Sequence, residues 1–281
     1  MKRKQWRKGL GLCGLLILIL SFTLSCTNGS GGGGSQATGD DLLARIMKNG
    51  KIIATLNVGN PPWSYQEGQK FVGMGVDLIE GWAKGVGVTV EYMPLEFQGL
   101  IPAIESGKAD IITMNLSMTV PRSARVMYTD SVGKGAGVAV IIKGSYANFD
   151  QINKAGVTIG TETGTIHETV GEEVFPNASM QTVPGTADGF AALKAGRIVA
   201  MLTDDSVGLL MTSQDPNLEM MKQYTYTDSL AFAVKLGTDS YTFLQSFNTY
   251  MKLIKINGTY SDIFKKYYDA EWVPTAISNS L

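Results

Sequence analysis

The chain has 281 residues, with 24 Lys and Arg, 25 Asp and Glu, one His and two Cys. Five of the basic residues lie in the first eight positions and every acidic residue follows position 26, so the rest of the chain is acidic and is not expected to bind nucleic acid. One His and two Cys are too few for a His-based zinc centre or a disulfide framework, and we expect neither a metal nor a cofactor.

The N-terminal segment has the layout of a bacterial secretion signal. Residues 1–8 are basic, an apolar run follows, and small residues precede Cys26. The TLSC sequence resembles a lipobox, although Thr23 stands where Leu is usual. The pattern predicts a lipoprotein signal peptide over residues 1–25, with palmitate or a similar acyl chain on Cys26. An uncleaved membrane anchor is the alternative, and the apolar run is only just long enough for one.

Residues 26–41 form a stretch rich in Gly and Ser that cannot build a core, so we expect a flexible tether there. A lipid and a tether would hold the following domain at the outer face of the bacterial cytoplasmic membrane, on its periplasmic side.

The remaining chain alternates strands and helices in two successive runs. The first run predicts strands at 51–57, 88–94 and 109–114 and helices at 76–87 and 100–108, with a turn-rich loop around PPWSYQEGQKFVG. The second run predicts strands at 156–161, 180–184 and 198–204 and helices at 165–174 and 186–196. This alternation predicts an α/β fold with mostly parallel sheets covered by helices.

Two more apolar strands, at 133–144 and 229–237, flank the second run, and the C-terminal part is helical with a break at Asn257 and Gly258. The simplest arrangement is two lobes joined by two extended strands. We expect lobe 1 to comprise 42–135 and 231–281 and lobe 2 to comprise 136–230. The G-x-G-x-G at 133–137 is followed by β-rich sequence, which favours a crossover over a dinucleotide-binding loop.

Four segments resemble, in order, the family 3 extracytoplasmic solute-binding proteins, the amino-acid receptors of ABC importers. They are NPPWSYQEGQKFVGMGVDLIEGWA, LIPAIESGKADIITMNLSMTVPRSARVMYTDS, IGTETGTIHE and GRIVAMLTDD, within about residues 40–272. The resemblance implies a two-lobed, type II periplasmic-binding-protein-like fold with two hinge strands. It also implies a monomeric receptor that closes on an amino acid and presents it to a membrane permease.

The resemblance assigns first-lobe residues to the ligand's α-groups. The family's T-x-x-R pattern falls on Thr119 and Arg122, which places Arg122 on the α-carboxylate, where a guanidinium can donate two parallel hydrogen bonds. Ser117 and the carbonyl of Asn115 match positions that receive the α-ammonium. Arg125, three residues after Arg122, is expected to be solvated.

The second lobe contributes its own residues by the same resemblance. Asp204 matches the carboxylate that pairs with the α-ammonium, while Asp205 is expected to be solvated. Gly164 and Thr165 lie at a strand-to-helix turn whose free amides suit an anion. Ile166 departs from the family's Thr and would contribute its backbone amide. Thr165 could also cap the helix.

The side-chain pocket is where the sequence departs from its relatives. Phe97 matches the family's stacking aromatic. Asn57 stands where receptors for basic amino acids often carry Asp, and Asn60 stands where an aromatic is frequent. Together with Glu162 they favour a polar ligand, an uncharged one first and a basic one second, although a buried Glu162 would favour a cation. Turn formation by the Asn residues and a solvated Glu162 are the alternatives.

An enzyme of the same fold, cyclohexadienyl dehydratase, is the competing hypothesis. It carries a Glu three residues after the Asp that Asp204 matches, as a general acid, and this position is Val207 here. A Val side chain cannot transfer a proton, so we expect no enzymatic activity. A lipoprotein that senses amino acids through the same cleft remains a further alternative.

Overall fold

The computed structural model describes residues 41–268. The predicted signal peptide, Cys26 and the predicted tether apart from Asp41 lie outside the described residues. The strands are β1 (Lys51–Leu56), β2 (Gly59–Asn60), β3 (Ser64–Glu67), β4 (Lys70–Val72), β5 (Thr89–Pro94), β6 (Ile111–Ser117), β7 (Val126–Tyr128), β8 (Gly133–Ile142), β9 (Thr158–Glu162), β10 (Ser179–Val183), β11 (Ala200–Asp204) and β12 (Leu218–Lys235).

The helices alternate with these strands along most of the chain. They are α1 (Leu42–Asn49), α2 (Met74–Val86), α3 (Leu100–Glu105), α4 (Val120–Ser123), α5 (Phe149–Ile152), α6 (Ile166–Val174), α7 (Thr186–Lys194), α8 (Asp205–Gln214), α9 (Tyr241–Ile256) and α10 (Thr259–Tyr268). Short 3-10 turns lie at Phe97–Gly99 and Thr238–Ser240. Within residues 41–268, none of the helices has the length and apolar character needed to cross a bilayer.

The main sheet has two parallel halves with a long antiparallel pair between them. Its order is β10-β9-β11-β8-β12-β6-β1-β5, and β7 also pairs with β12. The first half (β5, β1, β6) and the second half (β10, β9, β11) are each parallel. The 18-residue β12 pairs with β6 near one end and with β8 along the rest. The α/β fold with two connecting strands is therefore confirmed.

Each half of the sheet has its own core on both faces. Along β8, Val138 and Val140 pack into one core of the second half, whereas Ala139 and Ile141 pack into the other. This follows from the alternation of side chains along a strand. In the first half, Phe243, Phe247 and Tyr260 of the C-terminal helices pack against β1 and α2.

Every strand and helix predicted in the two runs is present, with ends shifted by a few residues. The loop predicted around PPWSYQEGQKFVG was wrong, because this segment forms a small antiparallel sheet of β2, β3 and β4. The strand predicted at 229–237 is only the end of β12, and α1 and α8 were missed. The small sheet and α8 are short, polar or rich in Ser, Thr and Gly, so tertiary pairing decides their structure more than local preference does. In contrast, α1 has an Asp41 N-cap and a Gly50 C-cap, local signals that could have predicted it.

Candidate functional site

A cavity lies where the carboxyl ends of strands from both halves of the sheet meet, as is usual for ligand sites in α/β proteins. Ser117 ends β6, Glu162 ends β9 and Asp204 ends β11. Ten of the predicted ligand residues line this cavity: Asn57, Asn60, Phe97, Asn115, Ser117, Arg122, Glu162, Thr165, Ile166 and Asp204. Thr119 is not among the lining residues. It caps α4, and its hydroxyl accepts a hydrogen bond from the Arg122 amide at 3.3 Å.

The Arg122 guanidinium reaches both halves of the sheet. Its Nη1 donates to the Ser117 carbonyl at 3.1 Å and its Nη2 to the Gly164 carbonyl at 3.2 Å. The guanidinium also lies 5.3 Å from the centre of the Phe97 ring. Burial lowers the pKa of Arg122, and none of the described carboxylates lies within 4.0 Å of it. It is thus a partly buried cation whose hydrogen-bond acceptors are both neutral carbonyls.

Arg125 has a different environment, although it lies only three residues further on. It forms a two-point ion pair with Glu105 at 2.8 and 2.7 Å on the surface. Its side chain is half exposed. The expectation that Arg125 is solvated therefore missed its ion pair with Glu105. Arg125 does not line the cavity.

The Asp204 carboxylate is the centre of a hydrogen-bond network. Its Oδ2 accepts from Asn115 Nδ2 at 2.6 Å, and its Oδ1 accepts from the Tyr226 hydroxyl at 3.3 Å and lies 3.2 Å from His167 Nε2. Asn115 in turn accepts from Asn60 at 2.8 Å. Asn115 contacts Asp204 through its side-chain NH2 group. The sequence analysis had instead assigned the carbonyl of Asn115 to the ligand's α-ammonium.

Two residues of this network were missed by the sequence reasoning. His167 is buried in the first turn of α6, and Tyr226 lies on the long strand β12. His167 could have been found, since it is the single His of the chain and follows Thr165 by two residues. Nothing local distinguishes Tyr226 from its neighbours on β12, because only the sheet pairing brings it to Asp204.

Glu162 is buried in the wall of the cavity, with an exposed fraction of 8%. Its Oε1 accepts from Asn57 Nδ2 at 3.2 Å and its Oε2 from the Thr186 hydroxyl at 2.7 Å. Burial raises the pKa of Glu162 to about 7, opposed by the Thr186 hydrogen bond and reinforced by the charge of Glu96. The alternative of a solvated Glu162 is therefore wrong.

The two Asn residues combine local and cavity roles. Asn57 Oδ1 accepts from the Gly59 amide at 2.8 Å, a turn contact, while its amide group reaches Glu162. Asn60 Oδ1 is buried and has no hydrogen-bond partner among residues 41–268. A buried acceptor of this kind favours a donor group on whatever fills the cavity.

The turn before α6 was expected to offer free amides at Gly164 and Thr165, and this was wrong. The Gly164 amide donates to Glu168 Oε2 at 3.0 Å and the Thr165 amide to the Glu162 carbonyl at 3.3 Å. Gly164 adopts a left-handed conformation (φ 80°) that lets the chain turn sharply from β9 into α6. Thr165 occupies the N-cap position, but its side chain makes no capping bond and donates instead to the Glu162 carbonyl at 2.8 Å. The capping alternative for the Thr165 hydroxyl is therefore wrong.

Asp205 was expected to be solvated, and this was wrong as well. It is partly buried, its Oδ1 accepts from the Ser206 amide at 2.8 Å, and burial raises its pKa. It lines a second cavity, which shares none of its lining residues with the first, together with Trp63, Lys134, Lys255 and Tyr268. Val207, two residues on, is buried and lines the first cavity.

Residues 52–270 match the model of the bacterial extracellular solute-binding proteins, family 3. The chain belongs to this family. This family comprises solute-binding proteins that act outside the cytoplasm.

Individual relatives agree with this assignment. A probable histidine-binding protein of Campylobacter jejuni is 28% identical over 76% of this chain and 84% of its own length. The glutamine-binding protein of Geobacillus stearothermophilus is 28% identical over 79% of this chain and 90% of its own length. The crystal structure of an ancestral amino-acid-binding protein, a precursor of cyclohexadienyl dehydratase, superposes with a TM-score of 0.76 at 27% identity. The superposition covers 80% of this chain and 99% of the ancestral protein.

Proposed function

We propose that this protein is an extracytoplasmic receptor that binds a polar amino acid between the two halves of the sheet and delivers it to an ABC importer. The observation that carries the proposal is Arg122, a partly buried guanidinium at the cavity whose contacts are two carbonyls and an aromatic ring. A ligand carboxylate would supply the missing anionic partner. Asp204, on the same cavity, would take the α-ammonium.

Several hydrogen bonds already cross the cavity between the two halves of the sheet. Asn57 donates to Glu162, Asn115 donates to Asp204, and Arg122 donates to the Gly164 carbonyl. An amino acid in the cavity would exchange some of these contacts for its own. The connecting strands β8 and β12 would serve as the hinge, so that ligand contacts to both halves favour the closed form.

Membrane anchoring belongs to the same proposal. Cleavage after residue 25 and acylation of Cys26 would leave residues 26–41 as the tether of a monomeric receptor at the outer face of the cytoplasmic membrane. Labelling of cells with a palmitate analogue tests this. We expect label on the wild-type protein and none on Cys26→Ala. A labelled Cys26→Ala protein would contradict the anchoring site.

Thermal unfolding in the presence of single amino acids tests the binding function. A ligand that binds the folded state raises its melting temperature in a dose-dependent way. We expect one or a few polar amino acids to do so, and their desamino analogues to have no effect. An unchanged melting temperature with all amino acids would contradict the proposal.

Cyclohexadienyl dehydratase activity is disfavoured, because Val207 offers no proton at the position of the general acid. We expect no dehydration of prephenate or arogenate by the purified protein, measured by product formation against a buffer control.

Transport in membrane vesicles that contain the permease would separate a transport receptor from a sensing lipoprotein. Only the former should stimulate uptake.

A further inference from the structure

Glu162 is a buried carboxylate whose partners are both neutral. The Asn57 amide donates to one oxygen at 3.2 Å and the Thr186 hydroxyl to the other at 2.7 Å. Among residues 41–268, no Lys, Arg or His lies within 4.0 Å of this carboxylate. A buried carboxylate of this kind is costly unless it binds a proton or a cation.

The charges around Glu162 increase this demand. Glu96, on the loop after β5, and Asp204, at the end of β11, are both negative, and His167 on α6 opposes them only in part. An amino acid held by Arg122 and Asp204 would neutralise those two groups with its own carboxylate and ammonium. Glu162 would then be the remaining uncompensated charge of the cavity.

We infer that Glu162 receives a cationic group of the ligand's side chain, and that the receptor selects amino acids with cationic side chains. The inference rests on the proposed amino-acid receptor function and narrows its ligand. Asn57 and Thr186 would hold the two carboxylate oxygens in place, and Asn60 Oδ1 would offer a further acceptor to a side chain rich in donors. The sequence favoured an uncharged polar ligand, and the burial of Glu162 reverses that order.

Proton binding and cation binding at Glu162 exclude each other, which makes the inference measurable. The ligand cation binds the ionised carboxylate, so below a pKa of about 7 binding must first release a proton. Affinity for lysine or arginine should therefore rise with pH up to about neutrality. A neutral side chain needs no such release.

Titration calorimetry with lysine, arginine and glutamine at about pH 5.5 and about pH 7.5 tests this. For the better of the two cationic ligands, we expect affinity to be on the order of 10- to 30-fold higher at the upper pH. At about pH 7.5, glutamine should bind more weakly than the cationic ligand. Its affinity should not rise between the two pH values. Binding of the cationic ligand at the lower pH should also release a proton, visible as a dependence of the heat on the buffer.

Two variants sharpen the test. Glu162→Gln should lose most of its affinity for the cationic ligand and all of the pH dependence, because it keeps the shape of the side chain but not the charge. Glu96→Gln removes a negative charge from the same neighbourhood on an exposed residue that does not line the cavity. It should retain the preference for the cation.

The outcomes separate the inference from the proposed function. If glutamine or another neutral amino acid binds more tightly than lysine and arginine at about pH 7.5, or if Glu162→Gln binds the cation as well as the wild type does, the inference is wrong and the receptor function stands. If no amino acid binds at either pH, the receptor function is wrong, and the inference falls with it.

Discussion

The two ends of the cavity differ in how their charges are arranged. At the α-group end, Arg122 and Asp204 carry opposite charges and come from opposite halves of the sheet. At the side-chain end, Glu162 is a single negative charge with neutral partners. The first end can bind the part that all amino acids share, whereas the second can distinguish among them. Recognition and selectivity are thus expected to respond to different mutations.

The largest expected effect is at the α-group end. Arg122→Ala would leave a ligand carboxylate desolvated without its main partner, which typically costs about 2–5 kcal/mol. At about 1.4 kcal/mol per tenfold change, affinity should fall by a factor of roughly 30 to several thousand for every amino acid that binds. Titration calorimetry on protein with unchanged circular dichroism would measure the loss.

Arg122→Lys provides the chemical control for that prediction. It keeps the positive charge but cannot donate two parallel hydrogen bonds, so it should recover only part of the affinity. Full recovery would mean that charge alone, and not the forked geometry, holds the carboxylate.

The side-chain end should dominate the pH dependence of stability. Without ligand, Glu162 has a pKa of about 7 in the folded protein, above its ordinary value of 4.5. Its ionisation therefore destabilises the folded state progressively as pH rises from about 4.5 to 7, and the penalty is complete above that range. Relative to the wild type, Glu162→Gln should gain up to about 3 kcal/mol between about pH 4.5 and pH 8.

Urea unfolding of both proteins at several pH values would measure this difference. Glu96→Gln serves as the control, since its exposed carboxylate should give no comparable gain. A Glu162→Gln curve parallel to that of the wild type at all pH values would show that the pKa of Glu162 is the same in the folded and unfolded protein, which would contradict the prediction.

An intermediate effect is expected where the network supports Asp204. Tyr226→Phe removes one hydrogen bond to Asp204 but leaves the contacts to Asn115 and His167. A typical hydrogen bond contributes about 1 kcal/mol, so affinity should fall by about 5-fold, independent of the ligand side chain. A change in preference among amino acids would instead place Tyr226 at the selective end.

The smallest expected effect concerns Arg125, outside the cavity. Arg125→Ala removes the same charge as Arg122→Ala from the same segment, but only the surface pair with Glu105 is lost. Affinity should stay within about 2-fold, and stability should change little, because solvent screens this surface pair. If Arg125→Ala abolished binding while Arg122→Ala did not, the motif would have been read in the wrong register.

The sequence alone was sufficient for the alternation of strands and helices and for most of the candidate site. Hydrophobic periodicity is local, so β1, α2 and the helices after Gly237 could be predicted from their own residues. Ten of the predicted site residues line the cavity, and most of them were reached through the resemblance to the family's motifs. Short polar segments such as β2, β3 and α8 lack that periodicity and were misassigned or missed.

What only the tertiary structure decided is which side chains meet and how much water they keep. Tyr226 reaches Asp204 because β12 pairs with β8 in one register, and no local pattern specifies that pairing. Glu162 and Asp205 read alike in the sequence, as acidic residues next to a strand end. Their burial comes from elements distant in the chain, and for Glu162 it raises the pKa to about 7. The sequence specifies which residues can carry a charge, whereas their desolvation depends on how the chain packs. Desolvation in turn determines what such a charge can bind.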